Sequence, residues 1–232
     1  MQHVVSDFMQ LERTDSNFYW LSEASRRTLV TRSLAHGVRV YGERLVAYSN
    51  AEYRVWDPTR SKLAAAIMKG LKELPIKEGS NILYLGSASG TTASHVSDMV
   101  GRTGNVYCVE FAPRSMRDLI AVCEKRPNML PILADARQPA AYARKVERVD
   151  VIYQDVAQPD QARILVENAK LFLKKGKHAL IAIKSQSIDV TKKPGEVYKD
   201  VIAELETFFE VVEKVELSPY ERDHLFVSLR VK

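Results

Sequence analysis

Residues Leu83–Gly101 read "LYLGSASGTTASHVSDMVG": an apolar run, a turn of small residues, then a stretch able to form a helix. A dinucleotide fingerprint would require G-x-G-x-x-G at such a turn, and a phosphate-gripping loop would require G-x-x-x-x-G-K-[ST]. Here the glycines are Gly86 and Gly90, separated by Ser87, Ala88 and Ser89, with neither a third nearby glycine nor a lysine. Such a turn lets backbone N–H groups approach a ligand of modest charge, such as an amino-acid carboxylate, while Thr91 and Thr92 open the helix behind it. S-adenosylmethionine (SAM) fits this turn better than NAD or ATP.

Outward from this loop the chain alternates. Apolar runs at 81–86, 105–111, 129–135, 149–155 and 177–185 predict strands, and helices are predicted near 91–100, 114–125, 139–146, 159–173 and 195–208. Uninterrupted apolar strands alternating with helices imply a parallel sheet covered on both faces. The tail departs from this pattern: "FFEVVEKVEL" and "DHLFVSLRVK" are strand-like runs joined by "SPYER", a terminal hairpin whose last strand must run antiparallel. Five β-α units closing in a hairpin predict a Rossmann-like class I methyltransferase with a seven-stranded, mostly parallel sheet.

Upstream, short β-rich runs ("HVV", "NFYWLS", "RTLVTRS", "RLVAYSN", "AEYRVW") predict a small antiparallel β domain over residues 1–56. The methyltransferase domain is assigned to 57–232. It begins at "WDPTRSKLAAAIMKGLKEL", with Asp57 expected as the N-cap and Pro58 at the first helical position.

At 232 residues, 46% hydrophobic and 27% charged, the composition is that of a folded globular chain rather than a disordered one. No run of about 18 apolar residues and no signal-peptide pattern occurs, so no membrane span is expected and the location is expected to be cytoplasmic. Cys108 and Cys123 lie in apolar periodic stretches and read as core residues. A net charge of +5 and a pI near 9.1 favour a polyanionic partner without a concentrated basic block.

Ligands of an open α/β sheet bind beyond the carboxyl ends of its strands. The polar residues at those ends are therefore the candidates: Gly86, Glu110, Asp135, Asp155 and Lys184. Glu110 is placed to accept hydrogen bonds from both ribose hydroxyls of an adenosine, Phe111 to stack on adenine, and Asp135 with the Ala136 N–H to read the adenine edge. His224, opening the antiparallel strand, and Lys62, in the helix before the 81–86 strand, reach the same rim by topology.

The segments "EYRVWDPTRSKLAAAI", "LYLGSASGTTASHVSD", "YCVEFAPRSMRDL", "LADARQP", "DVAQPDQA", "IKSQSIDVTK" and "PYERDH" resemble the signature segments of fibrillarin, the ribose 2′-O-methyltransferase of box C/D guide particles. The resemblance runs from about residue 40 to the end. It implies a catalytic set matched here by Lys62, Asp155, Lys184 and His224, and SAM contacts at Ala88, Thr91, Thr92, Glu110, Phe111, Asp135, Ala136 and Gln158. Ser87, Val55 and the Ser185-Gln186 pair differ from the family's commonest residues, but none of the four polar positions is lost. The glycine-arginine-rich extension of eukaryotic members is absent, which suggests an archaeal-type member.

The resemblance further implies methyl transfer from SAM to ribose 2′-hydroxyls of rRNA and tRNA. The partners it implies are a Nop-family scaffold, a kink-turn-binding protein, a guide RNA and its target. On this reading Lys184 orients or deprotonates the 2′-OH, Asp155 holds Lys184, and Lys62 and His224 position the ribose-phosphate. No metal is expected, since nothing supplies a carboxylate cage. Two rivals stand beside it: an autonomous SAM methyltransferase on another substrate, and a catalytically silent scaffold subunit. "DVAQPD" after the 149–155 strand argues against amino-group enzymes, which commonly carry [DN]-P-P-[YF] there.

Overall fold

The computed structural model describes residues 9–24 and 26–232, so the predicted "HVV" run lies outside the described residues. Strands β1 (Met9–Arg13), β2 (Tyr19–Glu23), β3 (Arg26–Arg32), β4 (Leu45–Tyr48) and β5 (Ala51–Val55) form an antiparallel sheet in the order β1-β2-β3-β5-β4. β1 was not among the predicted runs, because Met9–Arg13 is mostly exposed and sends only Met9 and Leu11 to the core of the small sheet.

The second sheet follows the expected alternation. Its elements are α1 (Lys62–Met68), β6 (Asn81–Leu85), α2 (Thr91–Val100), β7 (Asn105–Glu110), α3 (Pro113–Cys123), β8 (Met129–Leu133), β9 (Val151–Gln154), α4 (Gln161–Phe172), β10 (His178–Lys184), α5 (Ser185–Ile188), α6 (Pro194–Leu205), β11 (Phe209–Glu216) and β12 (His224–Val231). Seven strands pair in the order β11-β12-β10-β9-β6-β7-β8. β12 is antiparallel to both β10 and β11, as the hairpin required.

The strands are apolar throughout because each face meets its own core. Ile82, Tyr84, Cys108, Tyr153, Ala182 and Phe226 point into the layer built by α1, α2 and α3. Leu83, Leu85, Val109, Ile152, Ile181 and Val227 point into the layer of α4 and α6. Each fully buried aliphatic side chain contributes roughly 1.5–3 kcal/mol, so neither face tolerates a register slip.

Two local expectations fail. The residue that caps α1 is Ser61, whose Oγ accepts from Ala64 N at 3.3 Å; Asp57 instead closes a turn on itself, accepting from Thr59 N and Oγ1, both at 2.8 Å. The predicted 139–146 helix is two 3₁₀ turns, Pro139–Ala141 and Ala143–Lys145. Tyr142 breaks it, because its hydroxyl is committed to Asn168 and its ring stacks on Phe172 at 5.8 Å.

A buried ionic cluster joins the two sheets. Arg54 on β5 binds Glu43 and, at 2.8 Å, Asp98 on α2; Arg126 binds the other Asp98 oxygen. Thr31 donates its hydroxyl proton to Asp98 at 2.8 Å, so it must accept from His95 Nδ1–H, also at 2.8 Å. That tautomer leaves His95 Nε2 to accept from Tyr41 Oη at 2.9 Å, with the imidazole stacked on Trp56 at 4.7 Å. Burial, reinforced by Arg54 and Arg126, pushes the pKa of His95 well below its ordinary 6.5. Two cations face two anions here, and this pairing is what makes burial of four charges tolerable.

Candidate active site

The strand order reverses between β9 and β6, and the crevice at that switch point holds the candidate site. The turn after β6 has Gly86 at φ +80°, Ala88 at +47° and Gly90 at +91°. A Cβ on Gly86 would lie 3.0 Å from the Asp155 carbonyl oxygen, so only glycine lets the β6 turn close against the end of β9. Gly90 precedes α2, whose first two residues are Thr91 and Thr92; Thr92 Oγ1 donates to Ser61 Oγ at 2.9 Å. That bond ties the starts of α1 and α2 together directly beside Lys62.

A cleft of about 290 Å³ opens beyond these ends, lined by Gly86, Ala88, Glu110, Phe111, Ala136 and Gln158, with Asp155 and Lys184 at its other wall. Glu110 is buried, and its two carboxylate oxygens accept from Ala88 N and Ala112 N, each at 2.9 Å. A carboxylate has about four lone-pair sites, so two remain for a ligand. Phe111 is 61% exposed, a large apolar face left in the open at the cleft. Gln158 Oε1 is buried without a hydrogen-bond partner among the described residues, an acceptor awaiting a donor. Asp135 is spent partly on Arg137 N at 2.9 Å and stands just outside this lining, as do Thr91 and Thr92.

The glycine cradle, the anchored carboxylate, the free aromatic face and the orphan acceptor fit an adenosyl ligand carrying an amino-acid end. Larger hollows of about 810, 590 and 350 Å³ lie elsewhere, but none gathers these groups.

The four polar candidates converge on one edge. Lys184 Nζ lies 2.8 Å from Asp155 Oδ1 and sends its aligned hydrogen bond to the Asp155 main-chain carbonyl at 2.9 Å. Lys62 Nζ lies 3.4 Å from the same Oδ1. These three side chains are all about 15% exposed, dry enough for the charges to act strongly on one another and open enough for a substrate to reach them. His224 Nδ1 donates to the Arg222 carbonyl at 2.6 Å, which leaves Nε2 as the available ring nitrogen.

Two residues in this edge were not singled out from sequence. Glu221 sits 3.9 Å from both Lys62 Nζ and His224 Nδ1, bridging the helix and the hairpin. Gln161 is buried, and its Oε1 accepts from Lys184 N at 3.2 Å, fixing the peptide that carries the lysine. Both lie inside the quoted segments "PYERDH" and "DVAQPDQA", but their roles depend on partners remote in sequence.

Comparison with known proteins gives concordant results. A family model described as Fibrillarin matches residues 9–232. The chain is 56% identical over 213 residues to a fibrillarin-like rRNA/tRNA 2′-O-methyltransferase of Thermococcus onnurineus, covering 92% of this chain and 94% of that protein. It resembles the crystal structure of Aeropyrum pernix fibrillarin with natively bound SAM (TM-score 0.89, 50% identity, 96% of this chain and 99% of that one). It also resembles the fibrillarin chain of a fibrillarin/Nop5p complex (TM-score 0.86, 41% identity, 95% of this chain and 100% of that one).

Proposed function

Since the chain belongs to the fibrillarin family, we propose that it transfers the SAM methyl group to ribose 2′-hydroxyls of rRNA and tRNA, as the catalytic subunit of a guide-RNA particle. The observation that carries this is the convergence of Lys62 and Lys184 on one oxygen of Asp155 beside the Glu110 cleft.

Gly86, Ala88, Glu110, Phe111, Ala136 and Gln158 hold SAM, with Thr91, Thr92 and Asp135 fixing the loops around it. When bound, SAM supplies an already activated sulfonium methyl. What remains for the protein is to place the hydroxyl in line and manage its proton, and correct placement alone is worth several kcal/mol of barrier. Asp155 fixes Lys184 from two atoms, side chain and carbonyl, so that the ammonium is held in one orientation at the rim. Lys184 orients the 2′-OH and relays its proton by passing an ammonium proton to the Asp155 carboxylate, 2.8 Å away, as Nζ takes up the hydroxyl proton; Lys62 and His224, joined through Glu221, position the ribose-phosphate.

The fibrillarin/Nop5p complex supports a Nop-family protein as a partner of this chain. The kink-turn-binding protein and box C/D guide RNA complete the assembly in this reading. The ribose is the same at every nucleotide, so selection must come from base pairing with a guide.

The test is methyl transfer from labelled SAM by the pure protein, compared with transfer after adding scaffold, kink-turn protein and guide at matched salt. Methylation at the nucleotide the guide dictates, only with the full set, is the expected result. Efficient site-specific methylation by the protein alone would point to an autonomous enzyme, and failure to bind SAM to a silent scaffold subunit.

A further inference from the structure

Beside the catalytic edge, between the antiparallel sheet and the start of α1, runs a groove of about 590 Å³. Its walls carry Arg26, Arg27 and Arg44 from the antiparallel sheet and Arg60 from the loop that enters α1, with Tyr220 also in the lining. Arg60 precedes the cap Ser61 and Lys62 directly, and Tyr220 is next to Glu221, which lies 3.9 Å from Lys62 Nζ. The groove therefore runs into the polar edge where the acceptor ribose must sit.

The four arginines are not equivalent. Arg27 is held by Glu12 at 2.8 Å and lies 4.4 Å over the Trp20 ring, and Arg44 is paired with Glu23. Arg26 and Arg60 are exposed, and neither has a carboxylate within 4.0 Å among the described residues. The two acidic side chains of the lining are already engaged: Glu43 by Arg54 and the Val40 and Tyr41 amides, Asp57 by Thr59. Arg26 faces Glu23 across the β2–β3 ladder, but that carboxylate is already bonded to Arg44, so the groove presents exposed guanidinium groups in excess of free carboxylates, a lining suited to a ligand rich in acceptor oxygens.

We propose that this groove is a rail for the backbone phosphates of the target RNA, with Arg26 and Arg60 as its phosphate contacts and Tyr220 as a stacking surface. The inference rests on reading the adjoining edge as a ribose methyltransferase site. A polymer whose ribose is held at Lys62 and Lys184 must leave the site in both directions, and in this direction lies the exposed Arg60, two residues before Lys62. Guanidinium forks match phosphate oxygens in pairs and carry no base information. The rail thereby gives the antiparallel sheet a task that does not compete with the guide for sequence reading.

The test is the charge-reversed double variant Arg26→Glu/Arg60→Glu in the full chain, beside a control of equal charge change, Arg102→Glu/Arg148→Glu, at the opposite end of the sheet. The probe is a fluorescently labelled single-stranded target RNA, titrated across salt concentrations with SAM present. The rail variant is expected to bind RNA at least tenfold more weakly, with a log K against log salt slope shallower by about one to two, since each single-strand phosphate contact contributes roughly 0.7. In the assembled particle its KM for target RNA rises about tenfold while kcat and SAM affinity stay near wild type. RNA affinity and slope equal to those of the control would overturn the proposal, as would loss of scaffold binding with RNA affinity intact. Should the wild-type particle fail to methylate ribose at all, the catalytic reading falls separately, and the salt-slope comparison still decides the rail.

Discussion

Lys184, the last residue of β10, and His224, the first of β12, are directly opposed partners in the antiparallel ladder. A parallel seventh strand would carry its first residue to the far end of the sheet. The reversal in the 209–231 hairpin is what returns a histidine to the rim where the parallel strands end. The edge is therefore a product of strand direction as much as of residue choice.

Lys184→Ala should lower methyl transfer about a hundredfold or more in single turnover while leaving SAM affinity near wild type, as expected when orientation and proton transfer are lost. Asp155→Ala should do the same by removing the carboxylate oxygen on which Lys184 and Lys62 converge, even though the main-chain carbonyl contact to Lys184 remains. A normal single-turnover rate in either variant would refute the assigned roles.

Glu110→Ala should weaken SAM binding by roughly 1–3 kcal/mol in calorimetry, through loss of charge-assisted hydrogen bonds. Because Glu110 also fastens the Ala88 and Ala112 amides, Glu110→Gln should recover part of the loss. Full affinity in the alanine variant would exclude Glu110 from the ligand.

Gly86→Ala joins the two halves of the site. The added methyl would press on the Asp155 carbonyl at 3.0 Å from a backbone at φ +80°, a conformation costing about 1–2 kcal/mol for a residue with a Cβ. Both SAM affinity and transfer rate should fall, unlike the Lys184→Ala pattern, where only the rate does. A variant that keeps both would show that the turn has room to spare.

His95 gives a signed pH dependence. Its pKa in the folded protein lies well below the ordinary 6.5, so on acidification the unfolded chain takes up the proton first. Stability is fully present above about pH 6.5 and declines below it by up to ~1.4 kcal/mol per pH unit from this group. Urea unfolding between pH 7 and 5 should show a shallower decline in His95→Gln than in wild type, although the variant starts less stable. Parallel pH curves would mean that His95 does not govern the slope.

Arg54→Met should destabilise the fold by about 3–5 kcal/mol in urea unfolding, since it leaves Glu43 with no cation and Asp98 with Arg126 alone in the interior. A loss under 1 kcal/mol would mean that the stranded carboxylates regain water or protons.

What could be read from the sequence was whatever depends on neighbours in the chain. The strands β6, β7, β9 and β10 announce themselves as apolar runs, and their ends place Gly86, Glu110, Asp155 and Lys184 without any knowledge of packing. The cap at Ser61 was hidden because Asp57 and Pro58 make an equally good local start; Thr92, 31 residues away, holds Ser61 Oγ instead. The 139–146 segment fails as a helix because of Asn168, which no window around Tyr142 contains. Glu221 resembled any solvated loop acid, and Arg54 any outward residue of an alternating strand. Their partners stand at Lys62 and His224, and at Asp98.

The ionic cluster at Arg54 also bears on how this protein can be dissected. A break before Asp57 looks natural in the chain, yet it would remove Thr31, Tyr41, Glu43 and Arg54 together, leaving His95 without its hydroxyl partners and Asp98 with Arg126 alone. A fragment cut there keeps every proposed catalytic and cofactor residue but inherits an Asp98–Arg126 ion pair stripped of its other partners at the back of the cofactor-loop helix. Minimal catalysts derived from this chain should therefore be engineered by replacing the cluster with apolar residues of matching volume first, and only then by shortening the polypeptide.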